Sequence, residues 1–228
     1  MFSQIPVQLI FNQELVELKQ YIKKQYPQIG FTLAEVLITL LIIGIISSIV
    51  IPALVNETQD AELHTAWKKT YSDFDQAIKR IMMDNGGTMI DLCSTASDVN
   101  NCFRSKLLIY LNYIKDCQSG SSEGICWGTW GIDHGAFILS RGTLVKTELG
   151  CNNCNCNSWH GTLPKCAMIW VDVNGFKGPN LWGKDMYAVQ VLANGIKPMG
   201  AAGDGYSTCL PSTSYPLGYA CSAMYLYQ

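Results

Sequence analysis

FTLAEVLITLLIIGIISSIVIPAL, residues Phe31–Leu54, is the stretch on which the fold turns. Its only ionisable side chain is Glu35. As a helix rising 1.5 Å per residue it spans about 36 Å, enough to cross a bilayer core of roughly 30 Å. A buried core helix of a soluble protein is a weak reading, because the run is too long and apolar all round. Lys19, Lys23 and Lys24 precede it; Glu57, Asp60 and Glu62 follow it, with the next basic residue at Lys68. The positive-inside rule therefore places the N-terminus in the cytoplasm and the bulk of the chain outside. All 10 cysteines of the 228-residue chain lie after the span, as expected for an oxidising compartment. The chain has 16 basic and 18 acidic side chains. Without a basic excess, nucleic-acid binding is not indicated, and a hydrophobic fraction of 48% excludes a disordered chain.

Working outward, Leu63, Trp67, Tyr71, Phe74, Ile78 and Ile81 recur at three- and four-residue spacing among charged residues. The spacing predicts that the helix continues past Pro52 as an amphipathic helix and stops near Asp84-Asn85-Gly86-Gly87. Val99, Phe103, Leu107, Leu111 and Ile114 predict a short second helix, with Ser97 as its cap. The pattern then turns to strands at Ile125–Ile132, Ala136–Ser140, Leu144–Thr147, Met168–Val173 and Tyr187–Leu192. Arg141-Gly142, Asn174-Gly175 and Asn194-Gly195 supply turn signals.

The polar, lysine-bearing residues before Phe31 do not read as an ordinary secretory signal, because the apolar run starts late and no small-residue cleavage site follows it. Gly30-Phe31-Thr32-Leu33-Ala34-Glu35-Val36 instead resembles the prepilin signature of type IV pilins and type II secretion pseudopilins. Pro52, 21 residues after Phe31, matches the family's helix-kinking proline. The resemblance is specific over about residues 23–55 and architectural beyond. It implies a pilin-like α+β fold with a long N-terminal helix packed on an antiparallel sheet. It implies residues 1–30 as a leader, 31–54 as membrane anchor and filament core, and 55–228 as an extracytoplasmic domain. It also implies cleavage between Gly30 and Phe31 by prepilin peptidase, methylation of the Phe31 amine, and pairing of the Glu35 carboxylate with the Phe31 amine of a neighbouring copy. The implied partners are other copies or related pilins, the peptidase and a membrane assembly platform. The implied location is the inner membrane before assembly, then a cell-surface or periplasmic filament.

Cys93 with Cys102 and Cys117 with Cys126 bracket short loops. Cys209 and Cys221 enclose LPSTSYPLGYA, which resembles the C-terminal disulfide loop of many type IV pilins. Cys151, Cys154, Cys156 and Cys166 form a cluster compatible with disulfides, with a zinc site or with a redox dithiol; the extracytoplasmic setting favours disulfides. In WVDVNGFKGPNLWGKD, residues 170–185, the oxygens of Asp172, Asn174, Asn180 and Asp185 alternate with glycines. The loop could surround Ca²⁺, although it departs from the EF-hand pattern; a turn at Asn174-Gly175 is the simpler expectation.

No Ser/His/Asp set, P-loop or zinc-protease helix is present, and His64, His134 and His160 are scattered. The resemblance thus implies a non-enzymatic filament subunit. A type II secretion pseudopilin is the alternative within that class, and a membrane-tethered metal or thiol-redox domain is the alternative outside it.

Overall fold

The computed structural model describes residues 30–118, 125–127, 135–156, 161–214 and 217–227; of the expected leader, only Gly30 lies among them. The chain divides into two compact units, residues 1–55 and 56–228. Helix α1 (Leu33–Asp84) starts in the first unit and ends in the second, with Pro52 inside it. It stops at the predicted Asn-Gly-Gly signal: the amides of Asn85 and Gly87 both donate to the Met82 carbonyl, and Gly86 and Gly87 adopt positive φ.

Among the described residues, the first unit is a stretch of helix that buries no apolar side chain. Phe31 is 87% exposed, and the leucines and isoleucines from Leu33 to Leu54 are exposed on every side. The most apolar 18-residue window of α1 has a mean hydropathy of 2.7, so by length and composition the helix can cross a membrane.

In the second unit α1 meets a six-stranded antiparallel meander in the order β1 to β6. The strands are β1 (Tyr113–Asp116), β2 (Gly135–Leu139), β3 (Leu144–Leu149), β4 (Ala167–Asp172), β5 (Met186–Leu192) and β6 (Gly195–Pro198). Helices α2 (Val99–Leu108) and α3 (Cys221–Tyr227) complete it. Alternate residues of the central strands point to opposite faces. One face places Val145, Ile169, Val171, Tyr187 and Val189 with Trp67, Phe74, Ile78 and Ile81 of α1. The other places Leu144, Met168, Trp170, Met186 and Ala188 with Trp127, Trp182 and Tyr219. That double cover explains why every residue of β4 is buried. Trp67 anchors the helix: its ring stacks on Tyr187 at 4.6 Å, and its Nε1–H donates to Ser222 O at 2.9 Å, fastening α3.

The structure corrects the sequence reading at three places. The second helix ends at Leu108, so Leu111 lies beyond it and Ile114 sits in β1. Its cap is Asp98, which accepts from Asn101 N at 3.0 Å, and not Ser97. Strand β6 follows Ala193-Asn194, where sequence reading saw only a turn. Of the expected strand at Ile125–Ile132 only residues 125–127 are described, and no named strand lies there.

Five disulfides are formed: Cys93–Cys102, Cys117–Cys126, Cys151–Cys156, Cys154–Cys166 and Cys209–Cys221. The three bracketing pairs join as their spacing indicated, and the cluster resolves into two short loops.

Candidate functional site

The N-terminal motif forms a reciprocal cap at the start of α1. The Thr32 amide and hydroxyl both donate to Glu35 Oε2 at 2.8 Å, and the Glu35 amide donates back to Thr32 Oγ1 at 3.2 Å. A helix leaves its first N–H groups without partners, and this Thr-x-x-Glu arrangement supplies two of them. The carboxylate is therefore folded back toward Phe31, in the first turn where the helix dipole favours negative charge. Gly30, Phe31 and Glu35 are all exposed. Sequence reading gave Glu35 an intermolecular role and missed Thr32; the signal was the Thr32-x-x-Glu35 spacing immediately before an apolar run.

The second candidate is the connection between β4 and β5. Asp172 ends β4 and is 4% exposed. Its Oδ1 has no hydrogen-bond partner, and neither has Asn174 Oδ1. Burial above all, then the nearby charge of Asp185, pushes the Asp172 carboxyl up to about 8, against the pull of the Asn174 and Gly175 amides. The Asn180 side chain reaches the same place. Its amide nitrogen donates to Asp172 Oδ2 at 3.0 Å and to Lys177 O at 3.2 Å.

Asp185 has a different position. It is fully buried, and its two carboxylate oxygens accept the Leu181 amide at 2.7 Å and the Asn180 amide at 2.8 Å. It shapes the loop, while Asp172 and Asn174 each present an unpartnered Oδ1. Asn174 also donates to Gly178 O at 3.2 Å, and Gly175 adopts φ +75°, where an added Cβ would lie 2.7 Å from Gly142 O, so no side chain fits. Among the described residues, no three His, Cys, Asp or Glu side chains are grouped to hold a metal, so a cation here would rely on amide and carbonyl oxygens. All four residues of the cysteine cluster are in disulfides. His64 stacks on Tyr225 at 3.8 Å; His134 and His160 lie outside the described residues.

A capped apolar helix of spanning length leading into a disulfide-bonded antiparallel sheet defines a pilin-like α+β protein. Residues 27–51 match the family model of the prokaryotic N-terminal methylation motif, a match that supports the type IV pilin and pseudopilin reading. That motif marks a precursor of the kind processed by prepilin peptidase, in a family that is structural rather than enzymatic. No curated protein matches the chain.

Proposed function

We propose that this protein is a subunit of an extracytoplasmic type IV pilus-like filament. It is held in the inner membrane by the first part of α1, cut after Gly30, methylated on Phe31, and assembled through the apolar helix. The observation that carries the reading is the methylation motif over residues 27–51, in which Glu35 is the sole acid of an otherwise apolar run. A carboxylate there is costly in lipid, by about 2.5–3.5 kcal/mol at a helix centre and less near its end. Thr32 offsets part of that cost in the single subunit. In a filament, the amine of a neighbour's Phe31 replaces Thr32 as a charged partner, which sets register between copies. The test is Glu35→Ala in cells with no wild-type copy. Membrane insertion should persist and fibre yield should collapse; normal fibres would remove the pairing from the account. The Cys209–Cys221 loop favours a pilin over a secretion pseudopilin.

The same proposal includes a weak calcium site at the β4–β5 connection, formed by Asp172, Asn174, Asn180 and the Lys177 carbonyl. The support is the unpartnered Oδ1 of buried Asp172 and the unpartnered Oδ1 of Asn174. Calcium takes oxygen ligands, and one carboxylate with neutral oxygens suits the weak range of about 10⁻⁴–10⁻³ M typical of extracellular modules. A calcium loop of this kind would weigh toward the pseudopilin alternative.

A further inference from the structure

Within the second unit, α1 is fastened to the rest at successive levels. Lys184, in the β4–β5 connection, pairs with Asp60 at 3.1 Å. Tyr225 of α3 stacks on His64, and Arg141 of the β2–β3 turn donates to Asp73 at 2.8 Å. Of these three, the β4–β5 connection takes the level nearest the apolar run. Asp60 follows Leu54 by six residues, about 9 Å along a helix. The polar layer on each side of the bilayer core is about 5–7 Å deep. While the apolar run spans a membrane, the tether therefore holds this connection beside the bilayer surface.

What the connection presents there is amphipathic. The Asn174 side chain closes the turn by its bond to Gly178 O, and Phe176, inside it, is left 53% exposed. Lys177 beside it is exposed too, and makes no ion pair among the described residues. Between this turn and α1 runs a groove of about 620 Å³. Gln59, Glu62 and Leu63 line it from α1, and Lys177, Pro179 and Lys184 from the connection. That volume falls within the range of about 300–1,000 Å³ usual for small-ligand sites. Lys184 is neutralised by Asp60, and Glu62, which is exposed, has no ion pair among the described residues. The groove thus offers one uncompensated cation, Lys177, and one uncompensated anion, Glu62.

We propose that the β4–β5 connection docks on the membrane that α1 spans, with Phe176 in the headgroup layer and a zwitterionic phospholipid headgroup in the groove. The phosphate sits on Lys177 and the ammonium on Glu62. This rests on the membrane-anchored state of the proposed filament subunit. Aromatic rings collect at the boundary between headgroups and acyl chains, and a lysine keeps its apolar stem there while its ammonium reaches the phosphates. A purely anionic headgroup fits less well, because Glu57, Asp60 and Glu62 crowd the same stretch of α1. The tether makes the contact intramolecular in effect, so a weak interaction suffices. Docking then fixes how the domain stands on the membrane before assembly, and it is released when the subunit leaves the bilayer for a filament.

The experiment places the photo-crosslinker benzoylphenylalanine at Phe176 of the full chain. The chain is inserted in vesicles of equal parts phosphatidylethanolamine and phosphatidylglycerol, and mass spectrometry identifies the adducts. The expected product is a lipid adduct at position 176, enriched in phosphatidylethanolamine. Lys177→Glu should lower its yield several-fold, and Glu62→Lys should shift it toward phosphatidylglycerol. The same crosslinker at Ile109 should give no lipid adduct. That residue is 67% exposed, but it stands beside Tyr110, which bonds Asp84 at the far end of α1. Adducts in proportion to lipid abundance would overturn the headgroup site. Adducts to protein alone would overturn the docking and assign Phe176 to a contact between copies. No lipid adduct at 176, with one formed by a crosslinker at Ile43 in the apolar run, would overturn the docking and leave the anchor intact. No lipid adduct at Ile43 either would overturn the membrane-anchored reading, and this inference with it.

Discussion

Calcium should raise the melting temperature of the purified protein, and the rise should grow with pH. Asp172 is the one carboxylate among the proposed ligands, and its carboxyl sits near 8. At pH 7 about nine in ten copies hold a proton that the ion must displace, which weakens apparent binding about tenfold. For an intrinsic dissociation constant of about 1 mM, 10 mM Ca²⁺ contributes roughly RT ln 11, about 1.4 kcal/mol, at pH 9 and about 0.4 kcal/mol at pH 7. For a domain of this size, each kcal/mol moves the midpoint by about 2–4 °C. The expected gain is thus about 3–6 °C at pH 9 and about 1 °C at pH 7. Without calcium the sign reverses. The folded state keeps the Asp172 proton where the unfolded chain, near 3.8, has lost it, so stability falls as pH rises from about 4 to about 8. Asp172→Asn should abolish the calcium gain and flatten that decline. The assay is a thermal melt with calcium and with chelator at both pH values. Superimposable curves at pH 9 would refute the site and leave Asn174-Gly175 as a turn alone.

The remaining predictions concern the framework. Trp67→Ala should cost about 3–5 kcal/mol in urea unfolding, because it empties the space against Tyr187 and strands the Ser222 carbonyl; a loss under 1 kcal/mol would contradict the packing. Thr32→Val should fray the first turn of α1, at about 0.5–2 kcal/mol, while Thr32→Ser preserves it; amide exchange at Glu35 and Val36 reads the difference. Replacing Cys209 and Cys221 together by serine should cost about 2–4 kcal/mol and loosen α3 as well as the loop, because fully buried Cys221 opens that helix. Unchanged protease resistance of α3 would contradict this. Denatured, unreduced protein should show no thiol reactive to maleimide, where reduction yields all 10.

The elements legible in the sequence were those whose signal is local and periodic. The apolar stripe from Trp67 to Ile81 repeats at helical spacing, and Asn85-Gly86-Gly87 ends it within a residue of the prediction. Leu111 and Ile114 misled because their spacing happens to extend the α2 stripe, while Tyr113–Asp116 becomes a strand only by pairing with β2, a tertiary event. Strand β6 is short and carries Lys197 and Pro198, so nothing local marks it apart from the turn before it. Asp98 and Ser97 are equally good caps by type, and only the backbone decides between them. At the candidate sites, the residue types were readable and their division of labour was not. Asp185 and Asp172 look alike in sequence, yet one is saturated by backbone amides and the other left with a bare oxygen.

The central claim is that Gly30-Phe31 is a processing site and that Phe31 becomes the first residue of the working subunit. Mass spectrometry of the N-terminal peptide, from protein taken out of the membrane and out of any sheared-fibre fraction, tests it directly. The account predicts a peptide that begins at Phe31 with a single methyl group on its amine, and an uncut 228-residue chain in Gly30→Val. A wild-type N-terminus at any other residue, or an unprocessed chain in a cell that cuts its other prepilins, would contradict it.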